Sequence, residues 1–166
     1  MGHAGGPDVQ WKLIDQCLVG PGAVLKGANL TGADLSRIDL LGSELLNDNF
    51  TGANLTGTRL GGSSLEDPTS GGLIGSPVSM PQYWKVIEGY LVGPGANLAN
   101  ADLAGATLSG RNLDFADLAG ANLSQADLKG ASLTGTTLTD VTWQSTTCPD
   151  GTNSDDDGGT CLNNLG

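Results

Sequence analysis

From Leu25 to Leu65 an apolar residue falls on every fifth position: Leu25, Leu30, Leu35, Leu40, Leu45, Phe50, Leu55, Leu60 and Leu65. The pattern resumes at Leu98 and runs through Leu103, Leu108, Leu113, Leu118, Leu123, Leu128, Leu133 and Leu138 to Trp143. Neither an α-helix nor a half-buried strand has a period of five. A short fixed period held over this length means a solenoid, whose units bury their apolar sides only against one another. Of the nineteen central positions seventeen are Leu, so burial is enough for one elongated core.

With the central residue called i, position i−2 is mostly Ala, i−1 mostly Asn or Asp, and i+2 usually Gly, as in Ala28-Asn29-Leu30-Thr31-Gly32. On an extended segment residues two apart share a face, so i−2 and i point inward and i−1 outward. Gly at i+2 permits a sharp corner. This pattern resembles the A-(D/N)-L-x-x signature of pentapeptide repeat proteins. The resemblance implies an all-β fold: a right-handed quadrilateral β-helix, a solenoid with four pentapeptides per coil. The expected core stack includes Leu30, Leu35, Leu40, Phe50, Leu55, Leu98, Leu103, Leu118, Leu123 and Leu138. Asp48 and Arg111 stand at i−2, where an unpaired charge in a narrow tube is costly, so each is expected to reach solvent or a backbone partner.

A longer duplication overlies the short one. Trp11–Ala23 matches Trp84–Ala96 at an offset of 73 residues, which is not a multiple of five. Two stacked modules follow, each opened by a lead-in of two short strands. The expected layout is a flexible leader over 1–10 and a single β-helix domain over 11–145. Within it, module one covers 11–67, a connector 68–83 and module two 84–145. A Cys-closed acidic loop or cap takes 146–166. In the connector, Leu73-Ile74 is expected to add a side to a coil and Ser76–Gln82 to loop outward. Trp11, Tyr83, Trp84 and Tyr90, four of seven aromatics, are expected to cover the bore.

The net charge of −11 argues against nucleic-acid partners, and no apolar run is long enough to insert in a membrane. Cys148 and Cys161 flank a polar loop after the last unit. This resembles the Cys-closed tails of some exported bacterial pentapeptide repeat proteins, which implies a Cys148–Cys161 disulfide and an extracellular or cell-surface location. Free thiols and half a zinc site are the alternatives. Cys17 is left over, with packing or intermolecular pairing open to it. Asn153, Asp155 and Asp157 before Gly158 partly resemble the start of a calcium loop, although position twelve is Asn164 instead of Glu. A solvated acidic turn is the alternative, and no other cofactor is expected.

The lone His, His3, leaves no His-based triad, and a convex rod offers no cleft to tune a carboxylate. No enzymatic activity is expected. The expected function is a non-enzymatic extracellular structural scaffold, acting by self-association or surface display, with itself as partner, end to end. One alternative is a cytosolic acidic DNA mimic that binds DNA gyrase, as the family resemblance suggests. A flat-surface binder of ice or crystal is a further alternative.

Overall fold

The computed structural model describes residues 11–165, so the expected leader over 1–10 lies outside the described residues. The backbone repeats every twenty residues. Strands β3 (Val24–Lys26), β4 (Glu44–Leu46) and β5 (Ser64–Glu66) form a parallel ladder, Val24 on Glu44 on Ser64. Three further ladders consist of single parallel bridges: Asn29–Asn49–Thr69, Asp34–Asn54–Ile74 and Asp39–Arg59–Ser79. The second half repeats the arrangement with Asn97–Asp117–Thr137, Asp102–Asn122–Thr142, Thr107–Asp127–Thr147 and Asn112–Ser132. The fold is all-β; the one helical element among the described residues is a 3-10 turn, Ser154–Asp157.

Most units close with the same turn. Ala33 N–H donates to the Leu30 carbonyl at 3.0 Å, and Gly32 between them has φ 64°. A positive φ at the third position suits Gly, which explains its frequency at i+2. The conformation belongs to the corner and not to the glycine, because Arg37, Asn47, Phe115 and Gln125 adopt it too, at φ 60°, 56°, 62° and 62°. The Asn or Asp at i−1 has a second task besides facing water. Its side-chain oxygen accepts the N–H at i+1, as Asn49 does from Thr51 and Asp117 from Ala119, both at 3.0 Å. Each such bond satisfies a corner amide the ladder leaves unused.

The central residues fill the interior. Leu30, Leu35, Leu40, Phe50, Leu55, Leu98, Leu103, Leu118 and Leu123 are buried. Leu138 is only half-buried, a departure from expectation; it sits in the last coil, with no coil above it. Hydroxyls at i−2 bond one coil back: Thr58 to the Leu35 carbonyl at 2.8 Å and Thr146 to Leu123 at 2.7 Å. Asp48 is wholly buried and accepts the Ala28 N–H at 2.7 Å. Arg111 is half-buried.

Residues 68–83 continue the coil. Ile74 bridges Asn54, and Ser79 bridges Arg59 with Leu60 N–H donating to the Ser79 carbonyl at 2.9 Å. The side expected from Leu73-Ile74 is present, while the expected outward loop over Ser76–Gln82 is corrected: a coil left without the Ser79 side would leave the Leu60 amide unpaired.

The two lead-ins are antiparallel hairpins. In the first, β1 (Lys12–Ile14) pairs with β2 (Cys17–Val19), Leu13 opposite Leu18. In the second, β6 (Lys85–Ile87) pairs with β7 (Tyr90–Val92), Val86 opposite Leu91. A bridge from Thr69 to Asn97 then carries one ladder across the junction.

Candidate interaction surfaces at the two ends

The internal junction shows what a lead-in hairpin is built to touch. Gly89 accepts the Leu73 N–H at 3.0 Å, and Leu91 N–H donates to the Ser70 hydroxyl at 2.8 Å. Tyr90 lies across Gly71, and its hydroxyl accepts the Asp102 N–H at 3.2 Å. Trp84 lies over Gly93, where any Cβ would collide with the ring. In this setting Trp84 is 6% exposed and Leu91 1%.

The first hairpin has the same residues without that surface. Trp11 lies over Gly20 in the same way, yet it is 50% exposed, and Leu18, the counterpart of Leu91, is 61% exposed. Leu13 and Val24 are exposed beside them. Cys17, the counterpart of Tyr90, is half-buried against the core, matching the packing expectation; it is a free thiol.

At the other end a cap covers part of the last coil. Cys148 and Cys161 form a disulfide with Cα atoms 5.3 Å apart, and both are fully buried. Asn153 bridges Thr147 antiparallel, Ser154 N–H donates to the Thr146 carbonyl at 2.9 Å, and the Ser154 hydroxyl donates to the Trp143 carbonyl. The oxygens proposed for a cation serve this cap. Asn153 accepts the Asp155 N–H at 2.9 Å, while the two Asp155 oxygens accept the Ser145 N–H at 2.8 Å and its hydroxyl at 2.7 Å. Those Ser145 bonds hold the Asp155 carboxyl below the usual carboxylate range. The Thr152 N–H and hydroxyl act likewise on Asp150. Among the described residues no three His, Cys, Asp or Glu side chains are gathered to hold a metal. In the 3-10 turn the Asn153 and Asp155 oxygens are engaged with the Asp155 and Ser145 amides.

The cap covers Trp143–Thr147 and leaves Leu138–Val141 partly open. Beside it lies a cleft of about 550 Å³ lined by Ala131, Leu133, Pro149 and Leu165. The sequence signalled both ends through the duplicated lead-in and the cysteine pair. The use of Ser145 and Ser154 as cap partners had no signal, since isolated serines carry no spacing rule.

The sequence signature of the family "Pentapeptide repeats" matches in eight copies over residues 23–67, 96–135 and 112–142. The chain belongs to the pentapeptide repeat family. No curated protein matches it. Among solved structures it is similar to Rfr23, a pentapeptide repeat protein of the cyanobacterium Cyanothece 51142, with 29% identity and a TM-score of 0.32. That match covers 75% of this chain but 58% of Rfr23, so the chain spans under two thirds of that protein's length. HetL of Nostoc sp. strain PCC 7120, involved in heterocyst differentiation regulation, matches at 28% identity and a TM-score of 0.31, covering 80% of this chain and 66% of HetL. A pentapeptide repeat protein of the Arabidopsis thaliana thylakoid lumen matches at 24% identity and a TM-score of 0.22, covering 80% and 70% respectively.

Proposed function

We propose that this protein is a non-enzymatic extracellular scaffold, a right-handed four-sided rod that joins copies of itself end to end. The four-sided form is supported by the twenty-residue register, which is four pentapeptides per coil. The extracellular location is supported by the Cys148–Cys161 disulfide, a bond that persists in oxidising compartments.

The observation that carries self-association is the contrast between the hairpins. Leu91 and Trp84 are buried because a coil lies beneath them; Leu18 and Trp11 carry the same chemistry and are uncovered. A second copy supplies a suitable surface. Thr137 ends the ladder that Thr69 carries across the internal junction, and Leu138–Val141 correspond to Ser70–Leu73. Val24, the counterpart of Asn97, would extend the Thr137 ladder. Leu138 stands where Ser70 accepts an amide, so this joint lacks one hydrogen bond and depends on apolar burial and the ladder. Such head-to-tail contacts do not close. The acidic DNA-mimic reading needs an unbroken acidic row, whereas every bridged ladder is interrupted by Asn, Thr, Ser, Ile or Arg.

The test is the mass in solution against concentration, for the natural chain and for Leu18→Glu. A mass that rises with concentration only in the natural chain supports the reading. A constant monomer mass refutes it.

A further inference from the structure

The two modules differ at one groove, and the first module shows what the second lacks. In module one the Lys12 ammonium reaches the Asp34 carboxylate at 3.4 Å, and Ser36 N–H donates to the same carboxylate at 3.1 Å. Those bonds, with the Ser36 side chain first, hold Asp34 below the usual carboxylate range. At the 73-residue offset Lys12 becomes Lys85 and Ser36 becomes Ser109, so both donors are kept. Asp34 becomes Thr107, so the carboxylate is gone although the main-chain carbonyl that Lys12 also reaches is kept, and Ile38 becomes Arg111, so a guanidinium is added.

These replacements meet in one place. Lys85, Thr107, Ser109 and Arg111 line a groove of about 460 Å³ between the β6–β7 hairpin and the coil, walled by Val86 and Ile87. Glu88 also lines it; its counterpart is Asp15. At the corresponding positions module one has one cation and two carboxylates, and module two has two cations and one carboxylate. Among the described residues the ion pairs are Lys12–Asp34 and Arg59–Asp39, and neither Lys85 nor Arg111 has a carboxylate partner. The Arg111 guanidinium is half-buried and makes no side-chain hydrogen bond or ion pair among the described residues, so its fork is open to a ligand from solvent.

We propose that this groove is an oxyanion-binding site, which takes from outside the carboxylate or phosphate group that Asp34 supplies internally in module one. The Arg111 fork and the Lys85 ammonium provide charge-assisted hydrogen bonds, and the Thr107 and Ser109 hydroxyls complete the set. The anion is either free or borne on an acidic polymer.

The test uses the full chain titrated with inorganic phosphate, with acetate, and with a short poly-aspartate peptide, followed by isothermal calorimetry and the Arg111 side-chain NMR signal. Two substitutions restore the module-one residues, Thr107→Asp and Arg111→Ile. Both place a residue type that the same fold already accommodates in module one, and Thr107 is exposed, so folding is preserved. Saturable binding in the natural chain, weakened roughly tenfold or more by each substitution, is expected. Arg111→Lys keeps charge without the fork and should weaken phosphate less than Arg111→Ile does. Preference for poly-aspartate over acetate at equal carboxylate concentration assigns the polymer source; parity assigns the free anion. No saturable binding of any probe, or binding unchanged in Thr107→Asp, overturns the proposal. Light scattering at each point separates this site from end-to-end association, which lies on other residues.

Discussion

Asp48 Oδ1 accepts the Ala28 N–H at 2.7 Å from a wholly buried position, one coil along, while its Oδ2 has no partner. The reason lies in the corner beneath. Most units use that amide to close their turn, as Ala33 does with Leu30, but the β3 corner makes no such bond. Ala28 therefore presents a free N–H, and Asp48 satisfies it from the coil above. One coil further on stands Pro68, which has no N–H to satisfy.

Burial pushes the Asp48 carboxyl up, against the Ala28 and Gly27 amides that pull it down. A raised folded-state value costs nothing below the unfolded value of 3.8 and subtracts stability as pH rises through the folded value. Asp48→Asn keeps an acceptor for Ala28 and removes the charge. We expect it to raise stability at neutral pH by on the order of 1 kcal/mol and to leave stability below pH 3.8 nearly unchanged. Urea unfolding of both proteins at several pH values checks this; a neutral-pH loss in Asp48→Asn would contradict it.

Leu118→Asp places a carboxylate in an interior where Leu98, one coil away, and Leu118 itself are buried. A stack held by nearest-neighbour contacts has no means of rerouting around it. The expected result is loss of the cooperative transition, several kcal/mol in all. Near-native thermal unfolding would refute the inward assignment.

The cap has the opposite pH sense. Asp155 is held low by Ser145, so its contribution is full above 3.8 and disappears as pH falls through its lowered folded value. Asp155→Asn should speed hydrogen exchange at the Ser145 and Thr146 amides at neutral pH, with core amides such as Leu103 unaffected. Equal exchange at Ser145 in both proteins would remove Asp155 from the cap.

Proteolysis of the unreduced chain should yield Cys148 and Cys161 in one linked peptide pair, and reduction should destabilise the cap by about 3 kcal/mol. Labelling of both thiols without reduction would contradict the bond and the compartment argued from it.

The period of five and the Leu-Ala pairing were legible because each repeats many times, and repetition turns a weak preference into a register. The duplication of Trp11–Ala23 as Trp84–Ala96 likewise announced the hairpins. What the sequence hid occurs once. Ser79 reads as part of a Pro- and Gly-rich linker, because its role is backbone pairing with Arg59, which any residue can supply. Asn and Asp at i−1 were read as solvent-facing, and their bond to the i+1 amide follows from corner geometry alone. The hold of Asp155 on Ser145 was hidden because a carboxylate that caps an amide and one that binds calcium have the same sequence appearance.

The central claim is that Trp11 and Leu18 form a joint still missing its partner. Static light scattering over a wide concentration range, on the natural chain and on Leu18→Glu, tests it most directly. Leu18 is 61% exposed, so the substitution leaves the fold intact. The account predicts that mass climbs with concentration in the natural chain and stays at that of one chain, 16.7 kDa, in the variant. A mass of 16.7 kDa at every concentration of the natural chain would contradict it.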